Sequence, residues 1–314
     1  MADAQGRVTL WGIEVFLAVA EEGSISAAAR RLGVSPPAIS QQLAALEQSL
    51  GAALFDRAAR PFVLTPAGAV FRRHGQVILN TESEARAELS RSDPRRSVTL
   101  RLGVIEDLDA EVTPSLLQRL SQDISGARFL LETGASHRLI DGLEARALDV
   151  AIAAELGTEA PEEGWREVHP LLADPFVAVR PPGAKADGPL IMYSTRQLMG
   201  RQISSYLAQN NLHFPVRFEL DSYNAILSLV AQSAGWTILT PLALHHAARF
   251  LPQVEVMPLP GVGPSRIISA SARAGAMGDF PQRVAAELRP LLTERVVAPA
   301  LARWPWLAGQ LRVL

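Results

Sequence analysis

Leu32-Gly-Val-Ser-Pro-Pro-Ala-Ile-Ser-Gln-Gln-Leu-Ala-Ala-Leu-Glu47 decides how the chain begins. Past Ala38 it reads as a helix, with Ile39, Leu43 and Leu46 on one face. The consecutive Pro36 and Pro37 do not break it. Pro36 fits the first helical position behind a Ser35 cap, and Pro37 still precedes the first residue that must donate an intrahelical bond. Upstream, Ser24 reads as the N-cap of a helix from Ile25 to Leu32, and Gly33 falls where a chain leaves a helix through positive φ. Two helices joined by a short glycine-containing turn form a helix-turn-helix. Small Ala28 and Ala29 suit a close crossing, with Leu32, Val34 and Ile39 filling the angle.

On a wheel of about 100° per residue, Ile39, Leu43, Leu46 and Leu50 cluster in a narrow arc that must face a core. Pro37, Gln41, Ala44 and Gln48 lie opposite, with Ser40 on the flank. This outward face is polar, short and uncharged, and suits a major groove. Gln41 can hydrogen-bond a base edge, and alanine or proline can touch a thymine methyl group. The helix N-terminus and the hydroxyls of Ser35 and Ser40 offer donors to phosphate oxygens. Ser24 and Ala38, at the two helix starts, join this set. Arg30, Arg31, Arg57 and Arg60 are candidates for DNA-backbone or minor-groove contact. Charge alone does not argue for DNA: up to Arg60 there are six acids against five arginines.

Leu54 to Thr65 sets two short apolar runs around a basic turn, a β-hairpin placed where a winged version carries its wing. Thr65-Pro66 then opens a helix to about Arg91. Phe71, His74, Ile78, Thr81, Ala85 and Glu88 recur by three and four along it, a polar heptad seam expected to mediate dimerisation. Ser92 to Ser97 is a polar, proline-containing linker. Beyond it strands and helices alternate, which predicts a mostly parallel sheet. Strands are expected at 98–105, 128–133, 149–153, 175–180, 189–193, 216–220, 236–240, 254–258 and 267–272. The helices expected between and after them include 113–122, 137–145, 195–209, 222–231 and 280–292, with an extra helix over Pro299 to Leu314.

The 314 residues, 48 % hydrophobic and 20 % charged, have an ordinary globular profile, and a net charge of −2 gives no hint of a polyanionic partner. With no cysteine, neither a disulfide framework nor a thiolate metal site is available. The most apolar later stretch, Ile226 to Leu244, is interrupted by Gln232, Ser233 and Pro241 and makes a poor membrane span, so a soluble cytoplasmic protein is expected. The six histidines show no metal-ligand spacing, and neither a phosphate loop nor a nucleophile elbow is present. No cofactor, metal or catalytic residue is assigned, and no enzyme activity is expected.

Phe16-Leu-Ala-Val-Ala-Glu-Glu-Gly-Ser24, Ala28-Ala29, Leu32-Gly-Val-Ser35 and Pro37-Ala-Ile-Ser40 together resemble the N-terminal signature of LysR-type transcriptional regulators. So do Leu46-Glu47, Leu50-Gly51, Leu54-Phe-Asp-Arg57 and Leu64-Thr-Pro-Ala-Gly68, over roughly residues 10 to 70. Ala147-Leu-Asp-Val-Ala-Ile152 resembles a motif of that family's effector domain. The resemblance implies a multi-domain chain: a winged helix-turn-helix DNA-binding domain (1–65), a linker and dimerisation helix with its hinge (66–96), and an α/β two-lobed effector domain like a periplasmic binding protein (97–314). Lobe I would hold 97–173 and 264–314, and lobe II 174–263. Implied partners are promoter or operator DNA, a small-molecule effector, further copies of the chain as a dimer or tetramer, and RNA polymerase. No membrane is implied.

Mapped onto this chain, the effector would meet Glu106 and Asp107, the turn at Ala135, Ser136 and His137, then Tyr193, Ser194, Thr195 and Arg196, with Asp221, Tyr223 and Trp236 completing the lining. Three departures stand out. Acids at 106 and 107 occupy the place where the family often has a small hydroxyl, which argues against a simple carboxylate effector held there. Trp236 stands where glycine is usual. Pro36 replaces a common glutamine, so that residue makes no base contact. The rival reading is a ligand-sensing or enzymatic binding-protein-like domain whose N-terminal helices only mediate association.

Overall fold

The computed structural model describes residues 7–56, 62–90, 99–124, 126–155, 164–184, 188–261 and 263–314, and only the backbone of 83, 84 and 86–90. The chain divides into two compact units, Met1–Ser97 with Glu144–Ala147, and Val98–Leu143 with Leu148–Leu314.

The first unit holds α1 (Leu10–Glu22), α2 (Ile25–Leu32), α3 (Pro36–Leu50), the hairpin of β1 (Phe55–Asp56) with β2 (Val63–Leu64), and α4 (Pro66–Ser90). The Thr9 hydroxyl caps α1 by accepting the Gly12 N–H at 3.0 Å, and Ser24 caps α2 by accepting that of Ala27 at 3.4 Å. Gly33 ends α2 at φ 70°, a conformation that strains any residue with a Cβ. Ala28 and Ala29 are wholly buried, and Phe16, Ile13, Ile39 and Leu54 fill the core. The Phe16 ring lies 5.2 Å from both Phe55 and Phe71, which ties α1 to the hairpin and to α4. At Gly68 an added Cβ would sit 2.0 Å from the Leu54 carbonyl oxygen, so only glycine lets α4 start this close to the hairpin.

The second unit contains two sheet systems. In chain order its strands are β3 (Thr99–Ile105), β4 (Arg128–Gly134), β5 (Val150–Ala154), β6 (Arg166–Pro175), β7 (Val177–Arg180), β8 (Leu190–Tyr193), β9 (Val216–Leu220), β10 (Thr237–Leu239), β11 (Glu255–Pro258), β12 (Ser265–Arg273) and β13 (Arg312–Val313). The helices are α5 (Thr113–Asp123), α6 (Ser136–Glu144), α7 (Leu198–Gln209), α8 (Tyr223–Ala231), α9 (Pro241–His246), α10 (Phe280–Leu292) and α11 (Ala298–Arg303). One lobe is a six-stranded sheet in the order β13-β6-β12-β5-β3-β4. The other joins the sheet β10-β7-β11 to the pair β8-β9 through a bridge between Leu190 and Trp236. The chain passes between lobes at Phe176 and again between β11 and β12.

The sheets are mixed rather than mostly parallel. Among the described strands, β3 pairs in parallel with β4 and β5, and β8 with β9, as does the isolated bridge of Leu190 to Trp236; the other named pairs are antiparallel. β12 runs antiparallel to β5 and β6 because it re-enters the first lobe from the second. The long strand β6 was not expected from the sequence. Pro170 interrupts its pattern, and the ladder absorbs that proline with a register shift opposite Ile268 and Ser269. The last segment is not one helix either. After α11 and a 3₁₀ turn at Pro305–Leu307, it ends as β13 on the edge of β6, with Leu307 and Leu311 buried against the effector-unit core.

Candidate functional site

In the first unit, α3 buries Ile39, Leu43 and Leu46 and exposes Pro36, Pro37, Ser40, Gln41, Ala44 and Gln48. Ala38 is half-buried, and Pro36 faces solvent rather than the domain. The tip of α3 corrects the expectation of phosphate donors. Pro36 and Pro37 have no N–H, and the amides of Ala38 and Ile39 both donate to the Ser35 carbonyl, at 3.0 and 3.3 Å. Residues 36 to 39 therefore present no free backbone donor. For the same reason Ser35 makes no side-chain capping bond, and the Ser40 hydroxyl donates back to the Pro36 carbonyl at 3.2 Å.

Ser24 is engaged as the α2 cap. Arg30 is exposed, whereas Arg31 pairs with Glu21 and, at 3.4 Å, with Glu22 on α1. A phosphate would have to compete with those carboxylates for Arg31. Arg57 and Arg60 lie outside the described residues. The hairpin base is fixed by Glu47, whose carboxylate accepts the Leu54 N–H at 2.8 Å, and by Thr65, whose hydroxyl donates to the Ala53 carbonyl at 2.7 Å.

The heptad seam of α4 is divided. Phe71 packs on Phe16 inside its own domain, and so is not part of an open seam. Gly75 is buried against Ile13, and Leu79 also packs on the domain core. His74, Ile78, Thr81 and Ala85 share one exposed strip, with Ile78 42 % exposed. The Glu88 side chain lies outside the described residues.

In the second unit a cleft open to solvent lies between the lobes. Glu106, Asp107, Ala135, Ser136, Tyr193, Asp221 and Tyr223 all line it. Five of the expected residues do not. His137 follows Ser136 into α6 without reaching the cleft. Ser194 and Thr195 hold the turn into α7 instead, donating to the Glu219 carboxylate through the Ser194 hydroxyl at 2.9 Å and the Thr195 amide at 3.1 Å. These bonds hold the Glu219 carboxyl below its usual value. Arg196 is 81 % exposed and 3.8 Å from Asp221, while the neighbouring Arg201 donates to the Arg196 carbonyl. Trp236 is a core residue, 8 % exposed, edge-on to Phe214 and with its indole N–H on the Gly188 carbonyl. It neither narrows the cleft nor offers a face to a ligand.

Sequence reasoning missed Gln197, the N-cap of α7, Met199 and Gln202 within that helix, and above all Arg266. Arg266 is the second residue of β12 and is almost wholly buried. Its Nε donates to Asp174 at 2.9 Å, and its Nη2 donates to Asp107 and, at 3.0 Å, to the Thr240 hydroxyl. Asp174 ends β6, its other oxygen accepting the Leu242 N–H at 3.2 Å. The four side chains thus tie both interlobe passages to the floor of the cleft. Burial opposes the Arg266 charge, but Asp107 and Asp174 outweigh it and hold its pKa above the ordinary value. Burial, reinforced by Asp107 and Glu106, likewise raises the Tyr193 and Tyr223 phenols, which remain protonated donors. Tyr193 donates to the Asp221 carbonyl at 2.9 Å. A signal for Arg266 and Asp174 existed in the sequence. Each is a charge set directly against an apolar run beside a lobe passage, Asp174 after Leu171-Leu-Ala173 and Arg266 before Ile267-Ile268, and buried charges require partners.

Residues 10–69 match the bacterial regulatory helix-turn-helix proteins of the lysR family, and residues 95–295 match the LysR substrate binding domain. A probable hydrogen peroxide-inducible genes activator of Mycobacterium xenopi is 34 % identical over 189 residues, 60 % of this chain and 97 % of that one. Its namesake from Mycobacterium avium is 34 % identical over 184 residues, 58 % of each chain. Full-length CbnR complexed with target DNA shares the fold at a TM-score of 0.61 and 21 % identity, covering 90 % of this chain and 100 % of that one. The chain belongs to the LysR family of bacterial transcriptional regulators, with a DNA-binding helix-turn-helix domain and an effector-binding domain.

Proposed function

We propose that this chain reads operator DNA in the cytoplasm by laying α3 in the major groove, with the hairpin as its wing. It does so as a dimer or a dimer of dimers joined through the exposed strip of α4, and it acts on RNA polymerase at the promoter. A small molecule in the interlobe cleft resets the arrangement of the DNA-binding units. The observation that carries the reading is the face of α3. Pro37, Ser40, Gln41, Ala44 and Gln48 are exposed, uncharged and short, above a sealed apolar core. Such a face is read by hydrogen bonding and methyl contact rather than by charge. No helix among the described residues is long and apolar enough to cross a membrane.

The mycobacterial relatives are described as peroxide-inducible activators. These 314 residues hold no cysteine, so thiol oxidation is not the signal proposed for this chain. A mobility-shift titration against the DNA flanking its own gene tests the reading. A salt-sensitive, sequence-dependent shift is expected, with half-sites about 10 bp or a multiple of it apart. A shift that ignores sequence would overturn it.

A further inference from the structure

We propose that the interlobe cleft takes a small organic cation, an amine or guanidine, held by Glu106, Asp221 and Gln202 against the rings of Tyr193 and Tyr223. This rests on the reading of the cleft as the effector site and names the effector's chemistry.

Charge supports it first. Glu106, Asp107 and Asp221 bring three carboxylates to the lining, and Arg266 brings the single guanidinium there. That guanidinium is engaged by Asp107 and by Asp174 behind it. The lining is therefore negative: Arg266 has no charge left to offer an anion, and Arg196 reaches Asp221 only from the solvent side, at 3.8 Å and 81 % exposed.

Hydrogen bonding points the same way. The Tyr193 hydroxyl donates to the Asp221 carbonyl, and the Tyr223 phenol lies in the field of the Asp107 carboxylate. Gln202 Oε1, in contrast, is buried and accepts nothing. A buried acceptor without a donor is costly, and an N–H of the ligand would satisfy it. Two aromatic rings beside the carboxylates add an attractive surface for a cation. Leu198 and Met199 provide apolar contact for its carbon skeleton. Opposing this, the first turn of α6 at Ser136 brings backbone amides to the other wall, where an anionic group would be favoured.

Thermal-shift and calorimetric titration of the full chain decide between these terms. The cationic probes are 1,4-diaminobutane, agmatine and arginine, and the anionic probes are succinate and benzoate. Stabilisation by at least one cation is expected, with Kd weakened about tenfold in Glu106→Gln and again in Gln202→Leu, and weakened by added salt. Glu106 is exposed, so its variant keeps the fold. A response to succinate or benzoate equal to or above that to the cations overturns the proposal while keeping the cleft as an effector site. A cation whose Kd ignores both substitutions binds elsewhere, which also overturns it. Silence from all five probes counts against the effector reading of the cleft as well.

Discussion

The two units solve the problem of a polar interior in opposite ways. Among the described residues, every buried polar or charged side chain belongs to the effector unit, including Asp107, Asp149, Glu155, Asp174 and Arg266. The DNA-binding unit buries only apolar side chains, around Phe16, Ile39 and Leu54. A purely apolar core sets one rigid presentation of α3, and its polar groups remain outside where DNA can meet them. Charges buried at the passages between lobes are satisfied only while Asp107, Asp174 and Arg266 stay aligned. That geometry ties the lobe junction to Asp107 on the lining of the cleft.

The largest expected effect tests this contrast at its strongest point. Arg266→Met leaves two buried carboxylates without their cation, which costs about 3–5 kcal/mol. The thermal midpoint of the effector unit should drop by roughly 10 °C, at about 2–4 °C per kcal/mol for a unit of this size. The pH dependence has a definite sign. Burial already pushes the Asp174 carboxyl up, and Arg266 is the main force pulling it back. Without Arg266 the folded pKa lies above the unfolded one, so the folded state holds the extra proton. The variant should be most stable at acidic pH and lose stability as pH rises through that raised pKa. A variant that unfolds at the wild-type temperature would show that the network is not what joins the lobes.

A smaller effect separates packing from assembly along α4. Phe71→Ala removes a ring from the Phe16 cluster and should destabilise the DNA-binding unit by about 3 kcal/mol. Ile78→Ala, on the exposed strip, should leave unfolding almost unchanged and weaken self-association in sedimentation velocity. If both variants lower stability equally, the division of the seam is wrong.

The difference between the units also explains what the sequence made legible. Capping, the Gly33 turn and the arc of Ile39, Leu43 and Leu46 are local signals, each readable within about ten residues. The cleft is assembled from α6, α7, β12 and the turn after β3, which are distant in sequence. Glu106, Ser136, Tyr193 and Tyr223 came through the family resemblance. Gln202 did not, because nothing local distinguishes an α7 glutamine facing a cleft from one facing water; Arg266 did not because its partners Asp174 and Asp107 lie 92 and 159 positions away. β6 was hidden by Pro170, and Trp236 is a core residue whose indole N–H meets the Gly188 carbonyl, 48 positions away.

For DNA itself, Gln41→Ala should lose discrimination by about 1–3 kcal/mol at one or two base positions, with little change in total affinity. Arg57→Ala should weaken all sequences alike and flatten the salt dependence. Competition mobility shifts with single-position operator variants measure both. The reverse pattern would mean that the outward face of α3 has been misassigned.

The smallest effect concerns two serines that look equivalent in the sequence. Ser24 and Ser35 each precede a helix, and loss of a serine N-cap ordinarily costs about 1 kcal/mol. Ser24→Ala should follow that rule, because its hydroxyl accepts the Ala27 N–H. Ser35→Ala should change stability by less than about 0.3 kcal/mol, a few tenths being usual where no specific feature is lost. Its hydroxyl caps nothing, since prolines at 36 and 37 leave no N–H there and the next two amides already donate to its own carbonyl. Any loss from Ser35→Ala should appear in DNA affinity, where the hydroxyl is the remaining donor at the start of α3. Equal destabilisation of the two variants in chemical denaturation would mean that α3 starts with a conventional cap. The prolines would then not have left its tip bare of backbone donors.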